Sequence, residues 1–154
     1  MELKKLIEKS NIDQDKKLKV KFDYFAELIN ELDNRDLPSE IVNSININIE
    51  EVNSFIGENK ALKKQIKKSQ YSIMKLIEKE LKIVPKNLYR TRWMAIGMSV
   101  FGIPMGAAFG ASLGNMAYLG IGIPIGMAIG IAVGTNMDKR AFEEGKQLNL
   151  EVNY

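Results

Sequence analysis

The chain contains no cysteine and no histidine. Without cysteine there is no disulfide, no thiolate metal site, no cysteine nucleophile and no lipid-acylated Cys. Without histidine the commonest general base and the commonest transition-metal ligand are both missing. Carboxylate or lysine chemistry remains open in principle, but no constellation of such residues stands out. No enzyme activity, no cofactor and no metal is therefore expected. Residues 1–17, MELKKLIEKSNIDQDKK, are charged and hold no continuous apolar stretch, so no signal peptide is expected there.

A third absence is local. Between Arg92 and Asp138 the chain carries no charge for 45 residues. That run holds ten of the twelve glycines and six of the eight methionines. The rest is rich in Lys, Glu, Ile and Asn and reads as soluble helix. Charge is uneven there too: residues 1–58 are net −5, residues 59–92 net +9 and residues 138–154 net −1. The cationic block directly precedes the uncharged run.

The expected fold class is all-α. Residues 1–9 could form a short helix with Leu3, Leu6 and Ile7 on one side. From Asp15 to Asp33, Leu18, Phe22, Phe25, Ile29 and Leu32 recur at alternating steps of four and three, a heptad-like stripe. DNRDLPSE breaks the chain, and Pro38, Ser39 and Glu40 suit a helix start. The next stripe is Ile41, Ile45, Ile49, Val52, Phe55 and Ile56, on a helix weakened by Asn43, Asn46, Asn48 and Asn53. After GENK a third helix carries Leu62, Ile66, Ile73, Leu76, Ile77 and Leu81, and Pro85 ends or kinks it. Its lysines Lys63, Lys64, Lys67 and Lys68 are either a solvated face or a contact for anionic lipid headgroups. Nucleic acid is not an expected partner, because aromatics are barely interleaved with these lysines. Stripes this narrow fit a cytosolic helical hairpin or coiled coil over residues 1–85, either an antiparallel hairpin alone or, better, a bundle completed by other copies. The stripes serve core packing or a groove for an unknown cytosolic protein partner.

A bilayer core of ~30 Å takes about 20 helical residues to cross. Forty-five uncharged residues suit two spans and a tight turn. The division reads as a basic juxtamembrane linker over 86–92, spans over 93–113 and 117–137, and a cytosolic tail over 138–154. Tyr89 and Trp93 mark one interface as amphipathic aromatics; Arg90, Arg92, Lys139 and Arg140 flank the run, and the turn is uncharged. By the positive-inside rule both termini are expected on the cytoplasmic side. A buried soluble hairpin would need far more surrounding protein than this chain offers.

Within the run one phrase occurs twice, GIPMGAAFGASLG and GIPIGMAIGIAVG. Gly102, Gly106, Gly110 and Gly114 are spaced by four, as are Gly122, Gly126, Gly130 and Gly134. Such positions share one helix face, so each span has a groove free of side chains. In lipid, close backbone approach is a main source of helix association. Each groove can face the other within the hairpin or a neighbouring copy, and a symmetric homo-oligomer is the simpler expectation. Pro104 and Pro124 should each free a carbonyl one turn earlier and kink its span.

Residues 90–148, from RTRWMAIG through the double GIP phrase and SLGNMA to MDKRAFEEGKQL, resemble the C-terminal hairpin of small bacterial proteins called glycine zipper family proteins. The resemblance implies a bacterial inner-membrane location but little about activity, since that family's role is undefined. The glycine-zipper lipoproteins of the outer envelope carry a signal peptide and an acylated Cys, and this chain matches neither feature. Two functions follow as expectations. One is a membrane-anchored, self-associating scaffold presenting a cytosolic helical module. The other is an oligomeric pore, for which the spans offer few polar residues.

Overall fold

The computed structural model describes residues 2–8, 12 and 15–151, and it divides into two compact units, residues 1–83 and 84–154. The first unit contains α1 (Lys16–Asp33), α2 (Ser39–Asn53) and α3 (Asn59–Leu81). Asp15 caps α1, its carboxylate accepting from Lys17 N at 2.9 Å and Leu18 N at 3.1 Å. That is the favoured N-cap chemistry for the orphan amides of a first turn. Lys82, in the left-handed region at φ 58°, ends α3 before Pro85 is reached.

The three stripes close on one another. The α3 helix packs against both α1 and α2. Leu18, Phe25, Leu28 and Leu32 of α1, Ile45 and Ile49 of α2, and Ile66, Ile73 and Ile77 of α3 are fully buried. Other copies, expected to finish this core, are not needed to bury it. Phe55 and Ile56 lie beyond the end of α2, and Ile56 is 97% exposed, so the α2 stripe stops at Val52.

Residues 2–8 are not helical, contrary to expectation; residues 1 and 9 of that stretch lie outside the described residues. The segment runs along α2, where side-chain amides take up its main-chain groups. Lys4 N donates to Asn46 Oδ1 at 2.7 Å and Ile7 N to Asn53 Oδ1 at 2.8 Å. Those bonds satisfy backbone groups that a helix would have satisfied internally.

The second unit runs β1 (Val84–Lys86), α4 (Leu88–Ile96), a π-helix (Gly97–Gly102), α5 (Ile103–Ser112), a 3₁₀ turn (Met116–Tyr118), α6 (Leu119–Glu143) and β2 (Gln147–Glu151). The α4–π–α5 rod packs antiparallel against α6 as a hairpin. Gly114, at φ +67°, makes the turn, and Asn115 caps the 3₁₀ turn by accepting from Ala117 N at 2.9 Å. The helices are longer than the expected spans: the linker 86–92 is largely strand and α4, and residues 138–143 of the tail continue α6.

The fold is also not purely helical. Strands β1 and β2 pair in parallel, with Val84 opposite Gln147 and Pro85 opposite Leu148. A parallel pair needs a crossover connection, and here the whole helical hairpin serves as one. Val84 and Leu148 are fully buried, and Leu88 and Ala141 pack beside Val84. The strand pair thus clamps the open end of the hairpin.

Candidate helix-packing site

The hairpin is built inside out relative to a water-soluble core. From residue 89 to residue 137, every fully buried residue is a glycine: 97, 102, 106, 110, 122, 126, 130 and 134. The large apolar side chains point outward instead, with Val100, Ile103 and Ile121 at least half exposed.

The reason is backbone contact. A Cβ at Gly97, Gly102, Gly106, Gly122, Gly126, Gly130 or Gly134 would lie under 3.0 Å from a backbone atom of the opposite rod. The pairing is specific: Gly126 sits against Gly97 and Gly102, Gly122 against Gly102 and Gly106, Gly130 against Trp93 and Met94, and Gly134 against Tyr89 and Arg90. Backbone atoms cannot swing aside as a flexible side chain can, so any larger residue must part the helices. Of the two arrangements open at the outset, these glycines adopt the one within the hairpin. A Cβ at Gly110 would meet the flexible Met116 side chain, its Sδ at 3.1 Å, near the turn. Gly114 does not pack at all: nothing lies within 4 Å of its Cβ position, and its role is the turn.

Gly97 was missed because it precedes Gly102 by five residues, out of step with the four-residue series. The π-helix resolves this. Its i→i+5 hydrogen bonding widens the turn, which brings positions five apart onto one face. Pro104, which lacks the N–H for an i→i−4 bond, follows the π-helix at the start of α5. Pro124 has no π-helix before it and lies inside a continuous α6.

Register along the hairpin is pinned by Asp138. The α4 N-cap, Asn87, is left-handed at φ 60° and makes no side-chain cap bond. Asp138 of α6 supplies the cap, accepting from Tyr89 N at 3.1 Å and Arg90 N at 2.9 Å. It is 6% exposed. A buried carboxylate on two backbone amides at a helix N-terminus gains both charge-assisted bonds and the dipole. Gln147 Nε2 donates to Asp138 O at 3.1 Å, tying β2 to the same point. The sequence signal was slight: Asp138 is merely the first charge after the uncharged run.

The expected interface residues gather at this clamped end. Tyr89 is half-buried beside Val84, Leu88 and Ala141, and Trp93 is half-buried opposite Gly130. Arg90, Arg92, Lys139 and Arg140 are exposed. A cavity of about 340 Å³ at this end is lined by Lys86, Arg90, Thr91 and Glu151, so it carries both signs of charge. Lys63, Lys64, Lys67 and Lys68 belong to the other unit, where Lys68 lies 3.9 Å from Glu51. The chain matches no protein-family model, no curated protein and no solved structure. Two helical segments, Leu88–Ser112 and Met116–Glu143, are long and apolar enough to cross a membrane.

Proposed function

We propose that this chain is a membrane-anchored scaffold: a glycine-locked hairpin crosses a bilayer twice and holds a three-helix unit on the cytoplasmic side. The observation that carries the reading is the inverted burial, with glycines inside and Val, Ile, Leu and Phe outside. Only 22% and 17% of the apolar windows are buried, whereas the core helix of a soluble protein would be mostly buried. In water such a surface would be a large aggregation liability; in lipid it is solvated. At 1.5 Å per residue, segments of 25 and 28 residues reach about 37 and 42 Å, ample for a ~30 Å core. Arg90, Arg92, Lys139 and Arg140 lie at one end, which the positive-inside rule assigns to the cytoplasm. The resemblance of residues 90–148 to the glycine zipper family favours a bacterial inner membrane.

A scaffold that clusters must associate through surfaces other than the inward glycines. The pore reading gains nothing from this geometry. A conducting path needs polar lining, and the Ser99 hydroxyl is turned back onto Ala95 O at 2.6 Å. Reconstitution tests the reading. The protein should float with liposomes after an alkaline wash, and the liposomes should retain trapped ions. Release of the protein by the wash would remove the anchor. Ion leakage abolished by Gly126→Leu would replace the scaffold with a pore.

A further inference from the structure

We propose that the face of α2 bearing Asn46 and Asn53 is a main-chain-reading groove, and that residues 2–8 of one chain occupy this groove in a second copy. Both asparagines make the same pair of bonds. Asn46 accepts from Lys4 N at 2.7 Å and donates to Glu2 O at 3.2 Å. Asn53 accepts from Ile7 N at 2.8 Å and donates to Lys5 O at 3.0 Å. In each case one amide holds the N–H of a residue and the C=O two residues earlier.

The two spacings are commensurate. Seven helical residues separate the asparagines, about 10.5 Å at 1.5 Å each. Three residues separate the segment's donors, about 9–10 Å if extended and only ~4.5 Å if helical. The device therefore selects an extended chain. Burial in the segment repeats every three residues, Leu3 and Leu6 being half-buried between exposed neighbours. Three is the period of a polyproline-II strand, which keeps Lys4 and Ile7 aimed at the same helix face.

Charge and packing say what fits and how firmly. Lys4 Nζ pairs with Glu50, and Asp23 and Asp33 of α1 border the same groove as Lys5. Lys4 and Lys5 thus lie near carboxylates, although Glu2 and Glu8 leave residues 2–8 with no net charge. The leucines do not fill it: a cavity of about 440 Å³ remains between the segment and Phe22, Ala26 and Ile29. The segment is thus held by its four main-chain bonds and the Lys4–Glu50 pair, with Leu3 and Leu6 only half-buried.

Those bonds are indifferent to which copy supplies the segment. The same residues from a second copy satisfy every donor and acceptor, and exchange of an identical element is a low-cost route to a dimer. The exchange does not depend on the membrane reading, though confinement to one bilayer would raise the effective concentration. It also provides self-association without the glycines already used within the hairpin.

Two full-length variants, differently tagged and in detergent, test this. Lys4→Pro/Ile7→Pro removes both segment donors at exposed, non-helical positions and so leaves the helices intact. Asn46→Ala/Asn53→Ala removes the groove's amides while raising α2 helix propensity. Circular dichroism should give wild-type helicity for both. Neither variant should pair with itself. Mixed, they should form heteropairs with a dissociation constant at least tenfold below that of the wild-type homopair, because each has lost its competing internal contact. Folded variants that fail to pair when mixed, or that each self-pair as well as the wild type does, would overturn the proposal.

Discussion

Replacing Gly126 with alanine adds one methyl group where the two rods of the hairpin touch. Its Cβ would fall against Gly97 O and Gly102 N, whereas ordinary van der Waals contact begins at 3.4 Å. The rods must therefore part by about 1 Å. A gap of 0.5–1 Å forfeits roughly a quarter to a half of each dispersion well, and wells are ~0.1–0.2 kcal/mol deep. Helices are stiff, so the loss spreads to the contacts at Gly97, Gly102, Gly122 and Gly130. Over a few dozen atom pairs this comes to about 2–3 kcal/mol. Alanine returns up to about 1 kcal/mol of helix propensity, leaving a net loss of about 1–2 kcal/mol. Gly120→Ala is the control, because nothing lies within 4 Å of its Cβ position. It should be neutral or up to about 1 kcal/mol stabilising. Trp93, the single tryptophan, is half-buried and its backbone lies against Gly130, so its fluorescence reports unfolding in detergent. The difference between the two variants should be about 2–3 kcal/mol and unchanged on tenfold dilution. Equal effects, or a penalty that fades with dilution, would refute glycine packing within one chain.

Other outcomes follow from single side chains. Asp138→Ala should cost about 1–3 kcal/mol by uncapping α4, and Asp138→Asn less, read by the same fluorescence assay. Gln70 is buried, and its Oε1 has no hydrogen-bond partner among the described residues, so Gln70→Met should raise thermal stability by about 1 kcal/mol in circular dichroism. The hydrogen bond and charge of Lys146 hold the Glu144 carboxyl below its ordinary value. A depressed folded-state value stabilises above the unfolded value and is lost as pH falls through the folded one. An acid titration should therefore destabilise the wild type slightly more than Glu144→Gln; identical profiles would remove Glu144 from the account.

The helices were legible because their signals are local. Asp15, Pro38 with Ser39, and the stripes on α1 and α3 lie within a few turns of what they specify. The four-residue glycine steps likewise identified a face. They did not identify its partner, because a groove fits a neighbouring copy as well as its own hairpin mate. Gly97 was hidden by the π-turn, which the sequence does not signal, since Pro124 in the matching phrase has none before it. The β1–β2 pair was invisible because the whole hairpin separates its strands and neither is longer than five residues. Asn46 and Asn53 read as poor helix formers until their amides met the backbone of residues 2–8. Their cost in propensity is offset by four hydrogen bonds made outside the helix.

The central claim is that the outward apolar faces of this hairpin meet lipid. The chain's lack of cysteine makes every introduced thiol unique. Single substitutions at Val100, Val133, Asn115 and Lys146, probed in sealed vesicles with a membrane-impermeant maleimide, test that claim directly. Val100→Cys and Val133→Cys should stay unlabelled until detergent is added, and Asn115→Cys and Lys146→Cys should label from opposite sides. Prompt labelling of Val100→Cys and Val133→Cys in intact vesicles would contradict a membrane-spanning hairpin.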